Sequence, residues 1–187
     1  FAYLLDLKRV RSRWVASRME DGFLRFEWMA LERALAGAKL LFLNSPANPT
    51  GTVLTADRLA ALCRLGPWVI SDEIYHGLTY EGEEHSILEY NPDAVVLNGF
   101  SKAFAMTGWR LGYAIVPEAL VRPLQKMAQN FFVSPNDFVQ AAGVAALIVH
   151  GFSPGLLTTI ERAGLDLAFV TTLQVASAPG QVGVLVP

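Results

Sequence analysis

Residues 39–51 read KLLFLNSPANPTG, a short apolar run that stops at a turn built from asparagine, proline and glycine. An apolar run this short, bounded by turn residues, reads as a strand rather than a helix. Proline fixes φ and glycine opens the left-handed region, so Asn48-Pro49-Thr50-Gly51 by itself reads as a plain turn. A helix over residues 55–65 follows, with Thr55 as its expected N-cap and Asp57 in the first turn, where the helix dipole favours an anion. The same alternation continues downstream. Residues 68–71 form an apolar run ending at Asp72, and further runs cover 94–98 (AVVLN) and 111–116 (LGYAIV). Pro117 is placed to open a helix reaching Gln129, as proline often does at a first helical position, and a second helix is expected over 136–150. Upstream, Trp28, Leu31, Ala34 and Leu35 recur at helical spacing over 27–36, and Gly37 is placed to stop that helix. Leu4, Leu5, Leu7 and Val10 read as a short helix running into an extended stretch at 14–19. Short buried strands separated by helices make the class α/β, with a largely parallel sheet flanked by helices.

Composition bounds what such a chain does. It has 187 residues, 52% apolar and 17% charged, with 15 basic and 17 acidic side chains and a net charge of −2. At about 150 residues per domain this is one large domain, or one with an appendage. A slightly acidic balance excludes a chain built chiefly to neutralise nucleic-acid phosphates, and the apolar content excludes a disordered acidic tail. Six basic residues between 8 and 25 read as a solvated face. Cys63 is alone, so neither an intramolecular disulfide nor a cysteine-rich zinc site is expected; a lone thiol fits a reducing compartment, and the expectation is a cytoplasmic chain. Residues 138–160 carry no formal charge, but Gly151, Ser153, Pro154 and Gly155 interrupt them, so no membrane span is expected. The chain starts at Phe1 with no charged start leading into an apolar core. No leader is read, and the expectation is a piece of something longer.

Polar residues collect where the strands end: Asn44 and Asn48, then Asp72 and Tyr75, then Asn98 to Lys102. Ligands of open α/β sheets sit beyond the carboxyl ends of the strands, so this order directs Asn48, Asp72, Tyr75 and Lys102 to one crevice. Each has a plainer reading too. Asp72 could cap a helix, Tyr75 could be core, and Lys102 and Arg110 could be surface charges. Gly99-Phe-Ser101-Lys-Ala103 approaches a hydrolase nucleophile elbow, with His150 as base and Asp137 as acid, but Ala103 replaces the last glycine. His76 and His85 with Glu81, Glu83 and Glu84 lack the paired spacing of a metal site and read as a solvated acidic loop.

Taken together, the motifs are more specific. Asn48-Pro-Thr-Gly, Ser71-Asp-Glu-Ile-Tyr75, Gly99-Phe-Ser-Lys102 and Thr107-Gly-Trp-Arg110-Leu-Gly-Tyr113 occur in this order. This set resembles the class I/II pyridoxal-phosphate-dependent aminotransferases of fold type I, collinearly from Tyr3 to Leu147. The resemblance implies the large domain of the aspartate aminotransferase-like fold, incomplete here, and a reaction moving an amino group between an amino acid and a 2-oxo acid. It implies that Lys102 holds pyridoxal 5'-phosphate as an internal aldimine, for which the amine must be partly free of its proton through desolvation or nearby cations. Lys102 then moves the proton between Cα and the cofactor carbon. Asp72 matches the carboxylate facing the pyridine nitrogen, which strengthens the ring as an electron sink. Tyr75 and Asn48 match the donors to the ring oxygen, Arg110 matches the phosphate arginine, and Ser101 adds a hydroxyl to the phosphate. Gly99 stands where many relatives carry a phosphate-binding serine.

The resemblance also marks what does not match. The family's phosphate cup at a helix N-terminus and its stacking aromatic lie upstream, near Phe1 and Tyr3. Its carboxylate-binding arginine has no counterpart, since Arg162 sits in an unrelated setting. Residues 1–150 are therefore expected to be the central part of the cofactor-binding domain, and 151–187 an atypical or truncated tail. The family implies a homodimer. Two alternatives stay open: a folded fragment without turnover, and another fold type I enzyme such as a carbon–sulfur lyase or a synthase.

Overall fold

The computed structural model describes residues 11–20, 23–131, 133–150 and 181–186. The expected helix at 4–10 and most of the tail, with Glu161, Arg162 and Asp166, lie outside them. The chain divides into two compact units between Lys39 and Leu40.

In the first unit β1 (Ser17–Glu20) pairs antiparallel with β2 (Phe23–Phe26), Ser17 opposite Phe26. Helix α1 (Trp28–Leu35) follows and buries Leu31 and Leu35. Gly37, at φ +69°, turns the chain out of it, using the left-handed region that glycine enters without a Cβ clash. Arg13 Nη1 donates to the carbonyls of Ala34 (2.8 Å) and Ala36 (2.7 Å). One member of the basic run thus satisfies carbonyls that the helix end leaves open, where a cation also suits the dipole.

The second unit is built on a five-stranded sheet of order β3-β4-β5-β6-β7. Its strands are β3 (Leu40–Asn44), β4 (Trp68–Asp72), β5 (Val95–Gly99), β6 (Gly112–Pro117) and β7 (Gln181–Val186). β3, β4 and β5 are parallel, with Asn44 opposite Asp72 and Asp72 opposite Leu97. Three strand tips therefore end abreast.

The sheet is mixed rather than largely parallel: β6 runs antiparallel to β5, and β7 antiparallel to β6. A parallel return needs a crossover, usually a helix. Between β5 and β6 the chain forms only a 3-10 turn at Thr107–Trp109, and it comes back reversed. β7 lies in a stretch whose sequence reads only as uncharged and interrupted.

Helix α2 (Ala56–Cys63) connects β3 to β4 and buries Leu59 and Leu62; Thr55 takes its N-cap position, but its side chain makes no capping bond. Helix α3 (Glu118–Phe131) starts one residue after Pro117, which closes β6 opposite Gln181 instead of opening the helix. Leu120, Val121 and Leu124 of α3 pack with Val95 and Leu97 on the buried Ala114 and Val116. Helix α4 (Asp137–His150) buries Val139 and Leu147. Its Gly143 approaches Leu111 so closely that a Cβ there would stand 2.5 Å from Leu111 Cδ2. After Gly112, β6 is buried throughout, whereas β3 and β4 alternate, leaving Leu40 48% and Trp68 55% exposed. Among the described residues no helix is long and apolar enough to cross a membrane.

Candidate functional site

The turn after β3 is closed by Gly51 N–H to Ala47 O (2.8 Å) and Ala47 N–H to Thr52 O (2.9 Å), with Gly51 at φ +68°. The buried Ser45 accepts from Leu54 N–H at 3.0 Å. One side chain ties this turn to the next strand. Asn44 Oδ1 accepts from Asn48 N–H (2.7 Å), and Asn44 Nδ2 donates to the carbonyl of Asp72 (3.0 Å). Asn48 then projects Nδ2 onto the Tyr75 hydroxyl at 3.0 Å.

At the tip of β4, Asp72 is half-buried and accepts from Ile74 N–H at 3.2 Å. Burial raises its pKa above the ordinary aspartate value, and the Ile74 bond offsets part of the rise. Among the described residues no cation pairs with it. Lys102 Nζ stands 5.4 Å from the centroid of the Tyr75 ring, within the reach of a cation–π attraction. Asn48, Tyr75 and Lys102 are thus brought together from the ends of β3, β4 and β5.

The loop between β5 and β6 carries Ser101, Lys102 and Arg110. Phe100 is fully buried and anchors it, packing at 5.2 Å on Phe104 and 5.9 Å on Tyr113 between ring centroids. Thr107 Oγ1 donates to Ser101 O (2.9 Å), while Thr107 O accepts from Arg110 Nη1 at 3.4 Å. Ala105 and Arg110 hold φ of 53° and 54°, a costly conformation for residues with a Cβ and one that collects at ligand sites. The Arg110 guanidinium is exposed, and its long bond to Thr107 leaves most of its five N–H donors open to an anion. Lys102 is exposed as well, so of the two expected means of freeing its amine, desolvation is not provided here. Among the described residues no hydrogen bond joins Ser101 or Arg110 to Asn48, Asp72 or Tyr75.

Three contributors stand outside the expected set: Asn44, Thr107 and Glu73. Asn44 and Thr107 were legible as polar residues at a strand end and within a motif, without their bridging role. Glu73 is buried with 2% exposure, and nothing in the order of residues separates it from the other acids between 72 and 89. His76 Nδ1 is 3.4 Å from Glu73, and His85 is 3.1 Å from Glu89 and 3.6 Å from Glu83. Among the described residues no group of three or more histidine, cysteine or acidic side chains is placed to hold a metal ion.

A family model, aminotransferase class I and II, matches residues 8–153, a range that includes all six expected site residues. The chain is 39% identical over 128 residues to (5-formylfuran-3-yl)methyl phosphate transaminase of Methanocaldococcus jannaschii, which covers 66% of this chain and 35% of that relative. It is 41% identical over 117 residues to aspartate aminotransferase of Geobacillus stearothermophilus, covering 58% of this chain and 30% of the relative. Among solved structures, aspartate aminotransferase from Thermotoga maritima matches with a TM-score of 0.65 at 32% identity, over 80% of this chain and 41% of that one. The chain spans about a third of the length of these curated relatives (35% and 30%).

Proposed function

The chain belongs to the class I and II aminotransferases, and on that premise we propose that it moves an amino group between an amino acid and a 2-oxo acid, with pyridoxal 5'-phosphate as cofactor and Lys102 as the catalytic residue. The observation that carries this reading is the meeting of Asn48, Tyr75 and Lys102 from three strand tips, at 3.0 Å and 5.4 Å. When bound, the cofactor supplies an aldehyde that condenses with amines and a ring that withdraws electrons.

The donor set fits such a group. Lys102 would hold the group at its aldehyde through an exposed amine. Asp72, lifted by burial and unpaired among the described cations, gains most from a cationic ring N–H. Tyr75 and Asn48, already joined at 3.0 Å, would hold the ring oxygen through hydroxyl and amide. Arg110 presents a planar fork to a phosphate, and the Ser101 hydroxyl lies in the same loop. With a substrate amino acid in place, the Lys102 amine would take up and return the Cα proton.

The aminotransferase relatives support this over a hydrolase built on Ser101, and the intact Lys102 set equally serves a carbon–sulfur lyase or a synthase. Residues 1–150 would be the central part of the cofactor-binding domain and 151–187 an atypical tail. The reading carries a cytoplasmic homodimer. Coverage favours a second reading, in which this stretch binds the cofactor without completing turnover by itself.

Titrating the purified chain with pyridoxal 5'-phosphate tests the proposal. A visible absorption band that saturates in the wild-type chain and is missing in a folded Lys102→Ala chain is the expected outcome. The same band in both chains would remove Lys102 from its role.

A further inference from the structure

Glu73 stands between Asp72 and Tyr75 in sequence and is almost wholly buried, with 2% exposure. Its Oε1 accepts from the Ser71 hydroxyl at 3.0 Å and from Ile87 N–H at 2.9 Å. Its Oε2 lies 3.4 Å from His76 Nδ1. The main chain is pinned as well: Glu73 N–H donates to Leu97 O of β5 (2.8 Å), and His76 N–H donates back to Glu73 O (3.0 Å). Ile87 is itself held, since Ser86 and Glu89 form a reciprocal capping box around the 3-10 turn Ile87–Glu89. Every bond therefore ends on something already fixed.

A buried carboxylate is a poor device for stability alone. Removing it from water costs free energy, and an apolar side chain of similar volume often packs as well or better. Burial raises the Glu73 pKa, while His76, Ile87, Ser86 and Ser71 lower it. The Tyr113 phenol beside it, buried and facing the Glu73 charge, is held firmly protonated. What a buried, hydrogen-bonded carboxyl group adds is direction, because its bonds have fixed partners and angles. Successive side chains at a strand end point to opposite faces. A side chain locked inward at 73 holds 72 outward.

We propose that Glu73 is a positioning residue, whose bonds to Ser71 and Ile87 fix the turn that aims Asp72 and Tyr75 at the cofactor. The inference rests on the cofactor reading above but acts before any cofactor arrives. It is therefore read first in the unloaded chain.

The test compares wild type, Glu73→Ala and Glu73→Gln by amide hydrogen exchange of the 72–78 peptide, and then by the dissociation constant for pyridoxal 5'-phosphate. Losing bonds to a charged acceptor predicts exchange about tenfold faster in Glu73→Ala and cofactor binding weakened about tenfold. Glu73→Gln, which keeps an oxygen for the Ile87 N–H, returns both to within about threefold of wild type. A folded Glu73→Ala chain with either wild-type exchange or wild-type binding overturns the proposal. Should Glu73→Ala not fold, Ser71→Ala takes its place: exchange raised about threefold upholds the proposal, and unchanged exchange overturns it. A wild-type chain that binds no pyridoxal 5'-phosphate overturns the cofactor reading itself. Binding that is normal in wild type and unchanged in folded variants overturns this inference alone.

Discussion

Burial lifts the Asp72 carboxyl above the ordinary aspartate value of 3.8, and the Ile74 N–H recovers part of the difference. A folded-state pKa above the unfolded one means that the folded chain binds more protons over the window between them. Stability then falls as pH rises through that window, from near 3.8 up to the folded value. Replacing Asp72 by Asn removes this contribution. Urea unfolding across the window should show a flatter fall of stability with rising pH in Asp72→Asn than in wild type; identical slopes would mean that the carboxyl is no harder to ionise in the fold. Glu73 contributes with the same sign, so it is the difference between the two chains that reports on Asp72. At this scale the candidate residues had plain readings one by one, and only their motifs in order singled them out. Asn48 by itself reads as part of a turn, and Lys102 and Arg110 as surface charges, until the motifs are read in order. Glu73 was not legible, because whether a carboxylate faces inward depends on Ser71, Ile87 and His76 meeting in space.

Strands β5 and β6 come together through glycine. A Cβ on Gly99 would stand 3.0 Å from both Gly112 Cα and Leu111 O, and 3.3 Å from Ile74 Cδ1. Two of those atoms are backbone and cannot swing aside, so Gly99→Ala should cost about 1–3 kcal/mol even though glycine in a strand is itself entropically unfavourable. Thermal unfolding should show the midpoint lowered by about 2–4 °C for each kcal/mol. A midpoint unchanged or raised would show that the strands can separate freely. The close approach also gives a local reason for glycine at position 99. Strand positions at 40–44, 68–72, 95–99 and 112–117 were readable because short apolar runs end at turn residues. Strand direction was not: nothing in GYAIVP distinguishes a strand that continues the parallel set from one that reverses it, and the deciding feature is a connection too poor in helix to cross the sheet. The β1–β2 hairpin escaped notice for a related reason. Its four-residue strands carry Arg18 and Arg25 opposite each other and show little apolar alternation.

The molecule as a whole puts all six expected residues in one unit, the one that begins at Leu40. Three parallel strands end abreast, Asn44 links two of the tips, and the third sends out the loop with Lys102. The order of motifs along the chain already implied one crevice, because open α/β sheets place ligands beyond their strand ends. The bonds that join Asn44 to Asp72 and Asn48 to Tyr75 span 28 and 27 residues and were beyond any local pattern. The central claim is that Lys102, alone among the lysines, is presented to an aldehyde by these neighbours. The direct measurement is to load the chain with pyridoxal 5'-phosphate, reduce it with borohydride, digest it and locate the modified residue by mass. The account predicts a pyridoxyl group on the peptide containing Lys102 and little on those containing Lys8, Lys39 or Lys126. Equal labelling of all four lysines, or labelling that spares Lys102, would contradict it.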